Sequence, residues 1–148
     1  MSEPVIIIDT SEIREGKLAD LKDAMTGLAG FVEVHEPKII AYHVYINGNG
    51  TRLTVLQVHP DSASAEFHMK VAGSAFPGFA ELIRMAGIDI YGNPGDELLE
   101  LLKRKARMLG NGIVIVHELH AGFFRYGVPN PDAAGFSGSG SSEDQDPG

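Results

Sequence analysis

Residues 39 to 61 read IIAYHVYINGNGTRLTVLQVHPD, and this stretch decides the fold. Two runs rich in β-branched and aromatic residues, Ile39 to Asn47 and Arg52 to His59, flank Asn47-Gly48-Asn49-Gly50. Gly and Asn tolerate positive φ, so these residues reverse the chain and the second run returns antiparallel to the first. Pro37 opens the hairpin. Pro60 stops it, and Asp61 is placed to cap a helix predicted to run to about Ala72.

Toward the N-terminus, Val5-Ile6-Ile7-Ile8 is a β-branched run ended by Asp9, which predicts a strand buried on both faces. Leu18, Leu21, Met25 and Leu28 then fall on one helical stripe backed by Lys17, Asp20, Lys22 and Asp23, predicting an amphipathic helix that ends near Gly30. Beyond the hairpin, a short apolar helix is predicted to carry Phe76, Phe79, Leu82, Ile83 and Met85, followed by a strand at Ile88-Asp89-Ile90-Tyr91. Asn93-Pro94-Gly95-Asp96 predicts a helix start with a cap, a first-turn proline and an acid at the positive dipole end. Leu98, Leu102, Ala106 and Leu109 share one face of that helix, and Gly110 stops it. Ile113 to Glu118 supplies a fifth strand, with continuation to Phe124 left open.

The order strand, helix, hairpin, helix, strand is a ferredoxin-like α+β arrangement, here with a C-terminal helix-strand extension. The 148 residues, 43% of them hydrophobic, suffice for one domain with a core, expected over residues 1–128. From Pro129 to Gly148 the chain is mostly Gly, Ser, Pro and acid, with Phe136 its one aromatic. That composition cannot offset the entropy of ordering, so a disordered tail is expected.

The net charge of −8 opposes binding to a nucleic-acid backbone or an anionic membrane surface. Lys103, Arg104, Lys105 and Arg107 form a basic cluster, expected to oppose the dipole at the end of the last helix. The absence of cysteine excludes disulfides, thiolate nucleophiles and Cys-type zinc sites. Met1-Ser2-Glu3-Pro4 lacks a basic leader and Val5 to Ile8 is too short to span a bilayer, so the chain reads as soluble and cytoplasmic.

Glu36-Pro37, Tyr42, the strand Leu53 to His59, Asp61 and, seven residues on, His68 together resemble the hairpin and second helix of antibiotic-biosynthesis-monooxygenase-like domains. The resemblance covers roughly Val5 to Tyr91. Lys38 stands where the family usually has Gly, Gln57 where an acid is common, and His59 where Tyr or Trp is common. The chain also lacks tryptophan, a member of the Asn, Trp and His set of haem-degrading relatives. The resemblance implies a homodimeric α+β barrel in which two four-stranded sheets face each other, each with a pocket between sheet and helices. Several relatives oxidise aromatic polyketides with oxygen and neither metal nor flavin, so no cofactor is expected. Others have no known activity.

His68 is the candidate catalytic residue, placed by the motif on a helix beside the hairpin, where a neutral imidazole could accept or pass a proton. Gln57 and His59 lie two apart on one strand and share a face with Leu53 and Val55; His43 and Tyr45 share a face of its neighbour. If these form a common face lining the pocket, they are the candidate substrate-binding residues for an apolar small molecule. Local packing for His68, and exposure or a dimer contact for His43 and Tyr45, are the structural alternatives. His117 and His120 are three apart on a predicted strand and point to opposite faces, so no metal site is expected there, while Glu118 and His120 could pair. Two functions stay open: a cofactor-independent monooxygenase or related small enzyme acting on an apolar aromatic compound, and a non-catalytic dimeric ligand-binding or assembly domain.

Overall fold

The hairpin forms as its sequence requires. In the computed structural model, which describes residues 3–125, β2 (Ala41–Ile46) pairs antiparallel with β3 (Arg52–His59), and Asn47 closes the turn by accepting from the Thr51 and Arg52 backbone N–H groups at 2.9 Å each. Gly50 supplies the positive φ, +71°, that the turn needs. The remaining elements are β1 (Val5–Ile13), α1 (Leu18–His35), α2 (Ser62–Ala72), a 3₁₀ segment (Gly73–Glu81), β4 (Ile83–Tyr91), α3 (Asp96–Leu109) and β5 (Val114–His117). The sheet order is β2-β3-β1-β4-β5, antiparallel except for the parallel β4–β5 pair. The first four strands have the ferredoxin-like order, and the C-terminal helix and strand extend that sheet by one. The helices cover one face, where Ile7, Leu21, Leu53, Ile88, Ile90, Leu98 and Leu102 form the centre of the core.

Several sequence expectations are corrected. β1 does not end at Asp9 but runs to Ile13, and Asp9 turns into the core. Its outward residues Ile6 and Ile8 are only half-buried, so the strand is not covered on both faces in the single chain. α1 does not end near Gly30. It continues to His35 because Val32 is fully buried beyond the glycine, and tertiary packing outweighs local propensity.

Ile83 and Met85 belong to β4 rather than to the preceding helix. A bulge between Thr10 and Ser11 of β1 makes Thr10 pair with Gly87 and Ser11 with Met85, so one extra β4 residue shifts the inward phase. Buried residues therefore fall at 83, 85, 88 and 90, and the step of three across the bulge imitates a helix. α3 begins later than expected, with Gly95 rather than Asn93 at its N-cap, and β5 stops at His117 without continuing to Phe124. The predicted tail, Pro129 to Gly148, and the boundary at 128 lie outside the described residues. Among those described, no helix is long and apolar enough to cross a membrane.

Gly30 has nothing within 4 Å of where a Cβ would stand, and its backbone is helical. Gly30→Ala is therefore expected to stabilise the fold by about 0.5–1 kcal/mol, measured by urea denaturation. A loss of stability would show that α1 is not helical through this position.

Candidate functional site

The helix-facing side of the sheet is polar along part of its length. Pairing of Tyr42 with Gln57, and of Gln57 with Ile7, places Tyr42 and Gln57 side by side on that face, and His59 follows two residues on. His59 and Gln57 are buried. His59 Nε2 lies 2.9 Å from Gln57 Oε1, and its Nδ1 lies 2.8 Å from Ser64 Oγ. With the Gln57 carbonyl accepting, His59 carries its proton on Nε2 and the Ser64 hydroxyl donates to Nδ1. Ser64 is positioned by the α2 cap, where Asp61 accepts from the Ser64 backbone N–H at 2.8 Å.

His68, two turns into α2, faces the same space, with its ring 5.6 Å from Tyr42, 6.0 Å from His59 and 6.4 Å from Phe76. Its Nδ1 donates to both oxygens of Glu36, at 2.8 and 2.9 Å. Glu36 is the C-cap of α1, so the extension of that helix past Gly30 delivers this carboxylate. His68 and Glu36 are both buried. Three buried side-chain polar atoms have no hydrogen-bond partner among the described residues: His68 Nε2, Gln57 Nε2 and Ser11 Oγ.

A groove of about 920 Å³ between α1 and β2 reaches Glu36, Tyr42 and Met25. Behind it, a void of about 30 Å³ is lined by Tyr42, Met25, Asp9, Phe76 and Lys105. Tyr42 and Met25 thus form the wall between groove and void. Burial first, then the negative charges of Asp9 and Glu36, holds the Tyr42 phenol well above its ordinary value. Tyr42 and Lys105 are site residues that the sequence reading did not select. For Tyr42 the signal was its place in the family-like pattern. For Lys105 there was only its step from Leu98, Leu102 and Leu109 toward the apolar face of α3; the basic cluster masked it, and it is buried rather than exposed at the helix end.

His43 and Tyr45 are not on this face. His43 pairs with Leu56, one residue out of phase with Gln57, so it and Tyr45 lie on the open side of the sheet, where they share a 2.8 Å hydrogen bond. The expected common face therefore divides: Gln57, His59 and His68 come together on the helix-facing side, while Tyr45 and His43, which also borders the groove, point the other way. His117 bonds Asp89 at 2.8 Å, while Glu118 and His120 fall beyond β5. Among the described residues there is no group of three or more His, Asp or Glu side chains arranged to hold a metal ion.

No protein-family model matches the sequence, and no curated protein matches it. Solved structures do match. MupZ from Pseudomonas fluorescens superposes with a TM-score of 0.66 at 18% identity, covering 87% of this chain and 100% of that one. A putative antibiotic biosynthesis monooxygenase from Deinococcus radiodurans gives 0.54 at 14% identity, over 62% of this chain and 93% of its own. SnoaB, a cofactor-independent oxygenase from Streptomyces nogalater, gives 0.54 at 10% identity, over 64% and 96%. The chain shares the fold of these three proteins. At these identities the likeness is one of fold.

Burial, and then the charge of His68, push His59 down to about 3 from its ordinary 6.5. The unfolded chain accepts a proton there below about pH 6.5, whereas the folded chain does so only near pH 3. The contribution of neutral His59 to stability is therefore complete above the upper value and is lost as the pH falls through this window. Urea denaturation from pH 7 to 4 is expected to show a slope shallower in His59→Asn than in the wild type by up to about 1.4 kcal/mol per pH unit. Equal slopes would mean that His59 is not held neutral.

Proposed function

We propose that this chain is a small enzyme that binds an apolar, planar small molecule between sheet and helices and transfers a proton through His68. The observation that carries this reading is the buried Glu36–His68 pair: the carboxylate holds Nδ1–H, and the unpartnered Nε2 lies among Tyr42, His59 and Phe76. A carboxylate behind an imidazole fixes its tautomer and favours the imidazolium that forms when the other nitrogen accepts a proton. Removing a proton from an activated ring CH₂ beside a phenol leaves an electron-rich anion able to react with dioxygen. In a monooxygenation the CH₂ becomes C=O and the second oxygen atom leaves as water. Such a step fits a cofactor-independent monooxygenase acting on an aromatic compound, with Gln57 and His59 bordering the ligand.

The same reading includes a soluble, cytoplasmic homodimer. The open face of the sheet presents half-buried Ile6, Ile8, Leu56 and Val58 together with exposed Tyr45. A second copy laid on it would close the two sheets into a barrel and place His43 and Tyr45 at the contact. Light scattering at micromolar concentration should return twice the chain mass of 15.9 kDa. A value equal to one chain would remove the barrel.

The second reading, a non-catalytic ligand-binding or assembly domain, is favoured by one observation. Gln57 and His59, which replace the family's acid and aromatic, are committed to bonding each other. Oxygen uptake with a panel of polycyclic phenols, with and without a chelator, separates the two readings. His68→Gln, which keeps a donor for Glu36, is expected to lower turnover about a hundredfold with little change in Tm. Turnover surviving within a few-fold would strip His68 of the role, and ligand binding without oxygen uptake by the wild type would favour the second reading.

A further inference from the structure

Asp9 and Lys105 are 96 residues apart in sequence and meet in the core, with Nζ 3.3 Å from Oδ2 and side chains 4% and 8% exposed. Packing alone gives no reason for this pair, since a buried ion pair stabilises a fold no better than apolar residues of the same volume. An ammonium group has three donors. Asp9 takes one of them at long range, and the Phe76 ring face stands 4.4 Å from Nζ. Both charged residues line the void behind Tyr42, whose volume of about 30 Å³ matches one water or one hydroxyl group.

We infer that the Asp9–Lys105 pair is the specificity-determining anchor of the pocket, reading a ligand hydroxyl that donates to Asp9 and accepts from Lys105. The ligand's apolar body would lie against Tyr42, Met25 and Phe76, with Tyr42 and Met25 giving way between groove and void. This rests on the proposal that the pocket binds an apolar small molecule. The pair is net neutral and offers one donor beside one acceptor. A carboxylate ligand would meet Asp9 and an amine would meet Lys105, each as a like charge, whereas a carbonyl or an ether satisfies only Lys105. A phenolic or enolic hydroxyl satisfies both. Lys105 comes from α3, outside the Val5 to Tyr91 stretch that carries the family resemblance, so the cationic half of the anchor is a feature of this chain's C-terminal extension.

The test is equilibrium dialysis with β-naphthol and its methyl ether, which differ only in the hydroxyl hydrogen. The wild type is expected to bind the naphthol about tenfold or more tightly than the ether, because only the naphthol can add a donor to the Asp9 carboxylate beside Lys105. The double variant Asp9→Leu, Lys105→Met removes the pair without leaving a lone buried charge. It should keep or raise Tm while the two affinities come within about twofold. Asp9→Val with Lys105→Leu gives a second, equally apolar form of the same test. A hydroxyl preference that survives in either double variant overturns the inference, as does a wild type that binds neither probe or does not distinguish them. The readout is binding, so it stands apart from turnover: failure of the proton-transfer reading shows in His68→Gln, and failure of the anchor shows only here.

Discussion

A carboxylate on the first strand governs how this domain closes. β1 is paired on both sides, so its alternate residues must face the helices, and Asp9 is one of them. Taking that charge out of water costs several kcal/mol unless a partner comes with it. The partner is Lys105, carried on the same side of α3 as Leu98, Leu102, Ala106 and Leu109. The position of α3, and of β5 after it, is therefore tied to a charge on the first strand. The 3₁₀ segment contributes the third member by setting Phe76 against the ammonium.

A second carboxylate is neutralised differently. Glu36 sits at the end of α1 and shares the proton of His68 on α2, which joins the two helices through a pair that no water reaches. Between these clusters stands Tyr42, whose hydroxyl is kept protonated first by burial and then by the two carboxylates. The interior between sheet and helices thus holds the His68 imidazole, the Tyr42 phenol and the Asp9–Lys105 pair among apolar side chains, and the last two border one small void. This distribution suits a ligand with an apolar body and polar groups at defined positions. The two histidines also differ in their partners: His68 has a carboxylate behind it, whereas His59 is bonded by the neutral Gln57 and Ser64.

The hairpin, the Asp61 cap and the apolar face of α3 were legible because each depends on chemistry within a few residues: turn glycine, a side-chain acceptor, a step of three or four. The start of β4 was not legible, because a bulge is a relation between two strands and leaves in one strand only a broken alternation, at Met85 and Ile88, that looks helical. The length of α1 was missed for a related reason. Gly30 signals an end locally, and only the buried site that receives Val32 carries the helix onward.

For the site, the sequence by itself determined that His68 lies on a helix started by the Asp61 cap, that the family resemblance sets it beside the hairpin, and that strand alternation puts Gln57 and His59 on one face. Tertiary structure alone decided that His43 and Tyr45 face the other way, because the register of β2 on β3 sets which residues are neighbours and a shift of one residue exchanges the faces. It alone paired His68 with Glu36, 32 residues distant, and Asp9 with Lys105, 96 residues distant. Charge complementarity across such separations leaves no local trace. A carboxylate that will be buried and paired reads in sequence like one that ends a strand or caps a helix, and the free energy that distinguishes them arises only when the chain closes and water is excluded.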